Sequence, residues 1–272
     1  MPMQITNETI IPVKQLQLPS RYLQREVRID LFMPPAFNER SEVSLLLIND
    51  GQNMGELGLA GILSGLYRQN AIHPLLCVGI YCGDDRKNEY GTAFVTDYKG
   101  RGAKAALYVQ FILEELLPFI QLQAGIISFK EKSFAGFSLG GLSALDIVWN
   151  HPREFVKAGV FSGSFWWRSK GLDEGYVEAT DRIMHARIRQ GSYYPGLKFF
   201  FETGMLDETE DRNNNGIIDS IDDTIGLIEE LEQKGYKRQT DIEYLELEDG
   251  RHDVATWAVA MPAFLKWGWG II

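Results

Sequence analysis

Three short stretches of this 272-residue chain carry residue types that can do nucleophilic chemistry together. The first, Gly136-Phe-Ser138-Leu-Gly140-Gly141, contains Gly-x-Ser-x-Gly. In a tight strand-to-helix turn, a side chain at either glycine would collide with neighbouring backbone. Such a turn lifts the serine hydroxyl to a helix N-terminus, where the dipole favours developing negative charge. Chance alone supplies the pattern about 0.13 times in a chain of this composition, so context decides. Here an apolar run at 134–137 reads as a strand, and Leu142, Leu145 and Val148 mark a helix face after it.

A serine hydroxyl needs a base within hydrogen-bond reach to become a nucleophile. Of the four histidines, His73 precedes a proline at a strand entrance and His151 sits at a helix end before Pro152. His185 lies in a polar helical stretch and reads as solvated. His252 follows a strand at 241–247, in the loop Glu248-Asp-Gly-Arg-His-Asp ahead of an aromatic-rich helix. That is the position for the base in chain order Ser…acid…His. The acid falls in the exit loop of the strand at 197–201. Asp207, three residues after Gly204, is the choice, with Glu202, Glu208 and Glu210 as neighbours able to serve. Its task is to hold the His252 tautomer and stabilise the imidazolium. The N–H groups of Leu139 and Gln52, the latter in Asp50-Gly-Gln-Asn after an earlier strand, are expected to form the oxyanion hole. Trp166 and Trp167 follow the strand at 156–161 and offer aromatic faces to an acyl or aryl group, or fill core. Arg86 is a candidate partner for an acidic substrate group, a structural ion pair being the alternative.

A second constellation is Asp211-Arg-Asn213-Asn-Asn215-Gly216-Ile217-Ile-Asp219-Ser-Ile-Asp222. Oxygen side chains at positions 1, 3, 5, 9 and 12, with glycine at 6 and the Ile217 carbonyl at 7, are spaced for a structural Ca²⁺. Asp222 stands where a sensor loop has Glu.

The elements that must position these residues alternate. Antiparallel strands are expected over about 8–33, stopped by Pro34-Pro35. Strands at 43–48, 74–81, 134–137, 156–161, 197–201 and 241–247 then interleave with helices at 57–67, 102–120, 139–149, 174–189 and 223–234. This is an α/β pattern: a mostly parallel sheet covered on both faces in a single domain over 1–272, with its chemistry at the carboxyl ends of the strands. The net charge of −10 disfavours nucleic acid. Two cysteines, Cys77 and Cys82, exclude a disulfide scaffold. No apolar run of about 18 residues and no signal-peptide pattern stand out, so a cytoplasmic protein with no membrane partner is expected, and a serine nucleophile with a histidine base suits a small-molecule ester substrate.

Asp50-Gly-Gln-Asn, Tyr98-Lys-Gly-Arg-Gly-Ala-Lys, Glu114-Glu-Leu-Leu-Pro, Gly136-Phe-Ser-Leu-Gly-Gly, Ser162-Gly-Ser-Phe-Trp-Trp and Gly250-Arg-His-Asp occur in that order. Together they resemble the "Putative esterase" family, which holds enterochelin esterases, esterase D, feruloyl esterases and mycolyltransferases. The resemblance runs from about residue 22 to 267 and implies an α/β-hydrolase fold without a large lid. It matches Gly204-Met-Leu-Asp207 to the acid loop of the feruloyl esterases. It also implies a serine esterase working through an acyl-enzyme. Acyl transfer by the same triad, or a non-catalytic calcium-dependent binding protein on this scaffold, are the alternatives. The Gly-Gly-His-Asp usual in the family is Gly250-Arg-His252-Asp here.

Overall fold

The computed structural model describes residues 10–35 and 42–271, so the expected strand positions 8 and 9 lie outside the described residues. One eight-stranded sheet runs in the order β1-β2-β4-β3-β5-β6-β7-β8. β1 (Val13–Ser20) and β2 (Arg25–Phe32) form an antiparallel hairpin, and β2 runs antiparallel to β4 (Leu75–Ile80). β3 (Ser44–Asn49), β4, β5 (Lys132–Phe137), β6 (Lys157–Phe161), β7 (Lys198–Leu206) and β8 (Ile242–Arg251) are parallel. β3 and β4 are buried throughout, which is why they read as unbroken apolar runs rather than alternating ones.

The helices are α1 (Leu59–Arg68), α2 (Arg86–Glu89), α3 (Ala105–Gln110), α4 (Leu117–Ala124), α5 (Leu139–Asn150), α6 (Glu178–Asp181), α7 (Ile183–Gln190), α8 (Asp219–Lys234) and α9 (Val254–Trp269). Successive side chains of a strand point to opposite faces. Leu45, Val78, Phe134, Val160 and Phe201 therefore pack with Phe111, Leu142, Ile188 and Leu227 on one side of the sheet. Leu46, Cys77, Ala135, Phe161 and Phe200 meet Leu59, Leu63, Met261 and Phe264 on the other. The α/β class read from the alternation is the fold observed.

Three features differ from expectation. α3 and α4 join through a π turn (Phe111–Leu116) into one helix from Ala105 to Ala124. Pro118 lacks the N–H for an ordinary helical bond, and the wider turn ahead of it accommodates that loss. This helix is long and apolar enough, by length and composition, to cross a membrane, against the expectation that no such run exists. Its Tyr108, Phe111, Ile112, Leu116 and Ile120 pack on the sheet. The helix expected over 174–189 is broken, because the Asp181 carboxylate accepts from Ser169 Oγ and from the Val177 N–H and Arg182 leaves helical geometry. His185, expected in solvent, is buried, with its Nε2 2.8 Å from the Asp223 carbonyl.

Candidate active site

Ser138 stands between β5 and α5 with φ 54° and ψ −122°, a strained conformation for a non-glycine residue. Flanking glycines make the turn possible: a Cβ at Gly136 would collide with the Gly140 carbonyl, and one at Gly140 would lie 2.6 Å from Asp50 Oδ2. Its backbone N–H donates to the Phe161 carbonyl (2.8 Å), and its hydroxyl lies 3.3 Å from Ser164 Oγ. This is the elbow read from the sequence, at the carboxyl end of a central strand.

The loop after β3 abuts it. Asn49 Nδ2 donates to the Gly140 carbonyl (2.8 Å), while Asn49 Oδ1 accepts from Tyr108 Oη (2.6 Å). Asp50 has left-handed geometry, and its N–H donates to Tyr90 Oη (3.2 Å). Arg86 grips the Asp50 carboxylate through Nε and Nη2, both at 2.7 Å, and its Nη2 also reaches the Phe137 carbonyl (3.4 Å). Burial works against the Arg86 charge and Asp50 more than restores it. Arg86 is thus a structural ion pair bracing the loop rather than a free group for an acidic substrate. Neither the Gln52 N–H nor the Leu139 N–H has a backbone acceptor among the described residues, as two oxyanion donors require.

On the other side of Ser138, β7 and β8 run further than expected, to Leu206 and Arg251. The strands pinch together at Gly204 and Gly250, where a Cβ at Gly250 would lie 2.8 Å from Gly204 Cα. Beyond this point a register shift frees the two turns that carry Asp207 and His252. The Asp207 carboxylate lies close enough to His252 for each to bias the other's protonation. Burial lowers the His252 pKa against the opposing pull of Asp207, leaving the neutral imidazole a general base needs. His252 packs edge-on to Trp257 (5.6 Å between rings), and Trp257 stacks on Phe137 (4.8 Å), the residue before the nucleophile. Trp257 Nε1 donates to Ser162 Oγ (3.0 Å). Ser138, His252 and Asp207 therefore gather at one corner, but no direct hydrogen bond joins them in this geometry. Catalytic hydrogen bonds are often long before substrate arrives.

Two further assignments need correction. Trp167 is fully buried, beneath Gly91 and Gly102 and against Arg101, so it fills core and presents no face to substrate. Trp166 beside it is half-buried and has Arg101 over its ring at 4.9 Å. In the 211–222 loop, Asp211 accepts from the N–H groups of Asn215 and Gly216, and Asp222 from the amides of Asn213 (2.6 Å) and Asn215 (3.3 Å). Ile217, whose carbonyl was the expected backbone ligand, donates its N–H to Asn215 Oδ1. Asp219, expected as a ligand, is instead engaged by the Arg212 N–H (2.9 Å) and guanidinium (3.2 Å), and with Asp222 opens α8. Among the described residues, no three His, Cys, Asp or Glu side chains converge as a ready metal site.

Comparison with known proteins settles the family. The profile of the family described as "Putative esterase" matches residues 20–267. The chain belongs to that family. It is 24% identical to the uncharacterized protein YbbA of Bacillus subtilis (strain 168) over 218 residues, covering 77% of this chain and 79% of YbbA. An enterobactin esterase from Shigella flexneri superimposes with TM-score 0.71 at 22% identity, over 94% of this chain. This chain spans only 58% of that esterase's length. A ferulic acid esterase superimposes with TM-score 0.69 at 17% identity, over 94% and 97% of the two chains. The siderophore hydrolase EstB from Aspergillus nidulans gives 0.68 at 17%, over 93% and 94%. These likenesses establish the α/β-hydrolase fold.

Sequence reasoning missed the residues that hold the site. Asn49 and Tyr108 gave no motif signal of their own, and Ser164 showed only as part of the Ser162–Trp167 motif. Asp50 was seen as part of a turn, and for the arginine that braces it the ion-pair alternative to a substrate contact is the one observed.

Proposed function

We propose that the chain is a serine esterase acting on small-molecule carboxylic esters through an acyl-enzyme, with Ser138, His252 and Asp207 as its triad. The observation that carries this reading is the strained Ser138 turn on the N-terminus of α5, with His252 and Asp207 brought to the same corner. In this mechanism Ser138 Oγ attacks the ester carbonyl carbon and passes its proton to His252. The tetrahedral oxyanion is received by the Leu139 and Gln52 N–H groups, and Asp207 offsets the imidazolium charge. Collapse breaks the ester C–O bond, and the departing alkoxide takes the proton from His252. Water, deprotonated by His252, then releases the acid and restores Ser138.

The deciding experiment is hydrolysis of p-nitrophenyl esters of graded acyl length by wild type and Ser138→Ala, alongside fluorophosphonate labelling. Turnover and labelling that both vanish in the variant are expected. Folded wild-type protein that neither labels nor hydrolyses any ester would sink the reading.

The same proposal includes a structural Ca²⁺ held by Asp211, Asn213, Asn215, Asp222 and the Ile217 carbonyl, ordering the segment that follows Asp207. Its support is the oxygen spacing together with the approach of Asn213 and Asn215 to Asp222. Added Ca²⁺ should raise the melting temperature of EGTA-treated protein, and an unchanged melting curve would remove the metal from the proposal.

A further inference from the structure

Glu202 was grouped with the acidic loop, but it lies on β7 on the same face as Phe200, under the corner where β6, β7, β8 and α9 meet. Its side chain is 1% exposed, and neither carboxyl oxygen has a hydrogen-bond partner. Five residues on, the chain curls back so that Asp207 Oδ1 would lie 2.8 Å from a Cβ at Gly204. Asp207 likewise has no hydrogen bond to either oxygen, and its charge acts on Glu202. Two carboxyl groups thus share one buried space.

The groups facing them offer no cation to neutralise Glu202. From the exit of β6 comes the Ser162 hydroxyl, which accepts from Trp257 Nε1 of α9 and keeps its own proton to donate toward the carboxyls. From β8, Tyr244 contributes a phenol tied to Thr203 and Glu246, both at 2.7 Å. From the turn after β8 come His252 and Asp253, whose charges act on Asp207. Arg86 reaches His252 electrostatically but is held by Asp50. Two like charges in a space without a counter-ion cannot both persist, and the relief available is a retained proton.

We propose, building on the triad reading, that Glu202 and Asp207 hold one proton between them, resident on Glu202, so that Asp207 is the carboxylate that faces His252. The pair then carries one negative charge, matching the single positive charge that His252 acquires when it takes the Ser138 proton. Loss of the shared proton leaves two carboxylates that repel, which displaces Asp207 from its place opposite His252. Burial, with Asp207 adding to it, pushes the Glu202 carboxyl up to about 8, so the proton is kept through neutral pH and released above it.

The test pairs infrared titration with pH–rate profiles of p-nitrophenyl ester hydrolysis. Wild type should show a carboxylic-acid carbonyl band at pH 7 that fades through about pH 8 and is missing in Glu202→Gln. Its kcat should fall over the same range. Glu202→Gln, which stays neutral at every pH, should abolish the alkaline fall of kcat with KM little changed. Absence of the band from wild type at pH 7 overturns the shared proton. A band with superimposable wild-type and Glu202→Gln profiles overturns the positioning role. Wild type that neither turns over nor labels with fluorophosphonate overturns the triad reading, and with it the role of Glu202 in catalysis; the band still decides the shared proton.

Discussion

The two flanks of Ser138 are built on opposite rules. On the β3–β4 side, polar groups are tied down: Asn49 to Gly140 and Tyr108, Asp50 to Arg86 and Tyr90. On the β7–β8 side, the carboxyls of Glu202 and Asp207 are buried and unbonded, and His252 packs edge-on to Trp257. A fully satisfied network holds its shape, which suits a site that must present fixed N–H dipoles to a developing oxyanion. Groups that must gain and lose protons need pKa values displaced from their ordinary range, and incomplete hydrogen bonding in a low-dielectric corner displaces them. In the proposed mechanism one flank serves as an electrostatic mould and the other as a proton path.

Substitutions can break that contrast. His252→Ala, on the proton side, should lower kcat about 10⁴-fold while leaving urea stability close to wild type, since the ring packs only edge-on to Trp257. A comparable loss of stability would mean that the flank is structural after all. On the opposite flank, Asp50→Asn should cost in both respects. Releasing the partly buried Arg86 should remove about 2–3 kcal/mol of stability in urea melts, and the loosened loop about 10²-fold in kcat. Activity lost without stability would detach the ion pair from loop bracing.

A pH profile sharpens the comparison with a smaller effect. In the proposed mechanism only neutral His252 can accept the serine proton, and burial holds its pKa below the ordinary 6.5. The acid limb of kcat/KM should therefore rise through a midpoint below pH 6.5. A midpoint above that value would show the Asp207 charge outweighing burial. Least of all should Trp167→Phe touch catalysis. It should cost about 1–3 kcal/mol of stability through the void left in the core, with KM nearly unchanged, and a large rise in KM would return Trp167 to the substrate site.

The parts legible beforehand share a physical character. The elbow was visible because close approach of Gly136 to Gly140 is a local steric demand that only glycine meets. Strand positions were visible because helices on both faces leave unbroken apolar runs. The strand ends were less so. β7 and β8 support each other past Glu202, pairing Thr203 with Glu246 and Gly204 with Leu247, and neither extension is apolar enough to announce itself. That is why Glu202 looked like a loop acid and is a buried strand residue.

By itself the sequence determined the α/β alternation, the Ser138 turn and the order in which acid and histidine follow it, all properties of neighbouring residues. Tertiary structure decided which partners those groups meet. Arg86 reaches Asp50 across 36 positions, and Trp257 reaches Ser162 across 95. Trp167 and His185 are hidden by helices and loops distant in the chain. Spacing governs local backbone geometry, whereas burial and charge pairing depend on distances through space that only the packed sheet establishes.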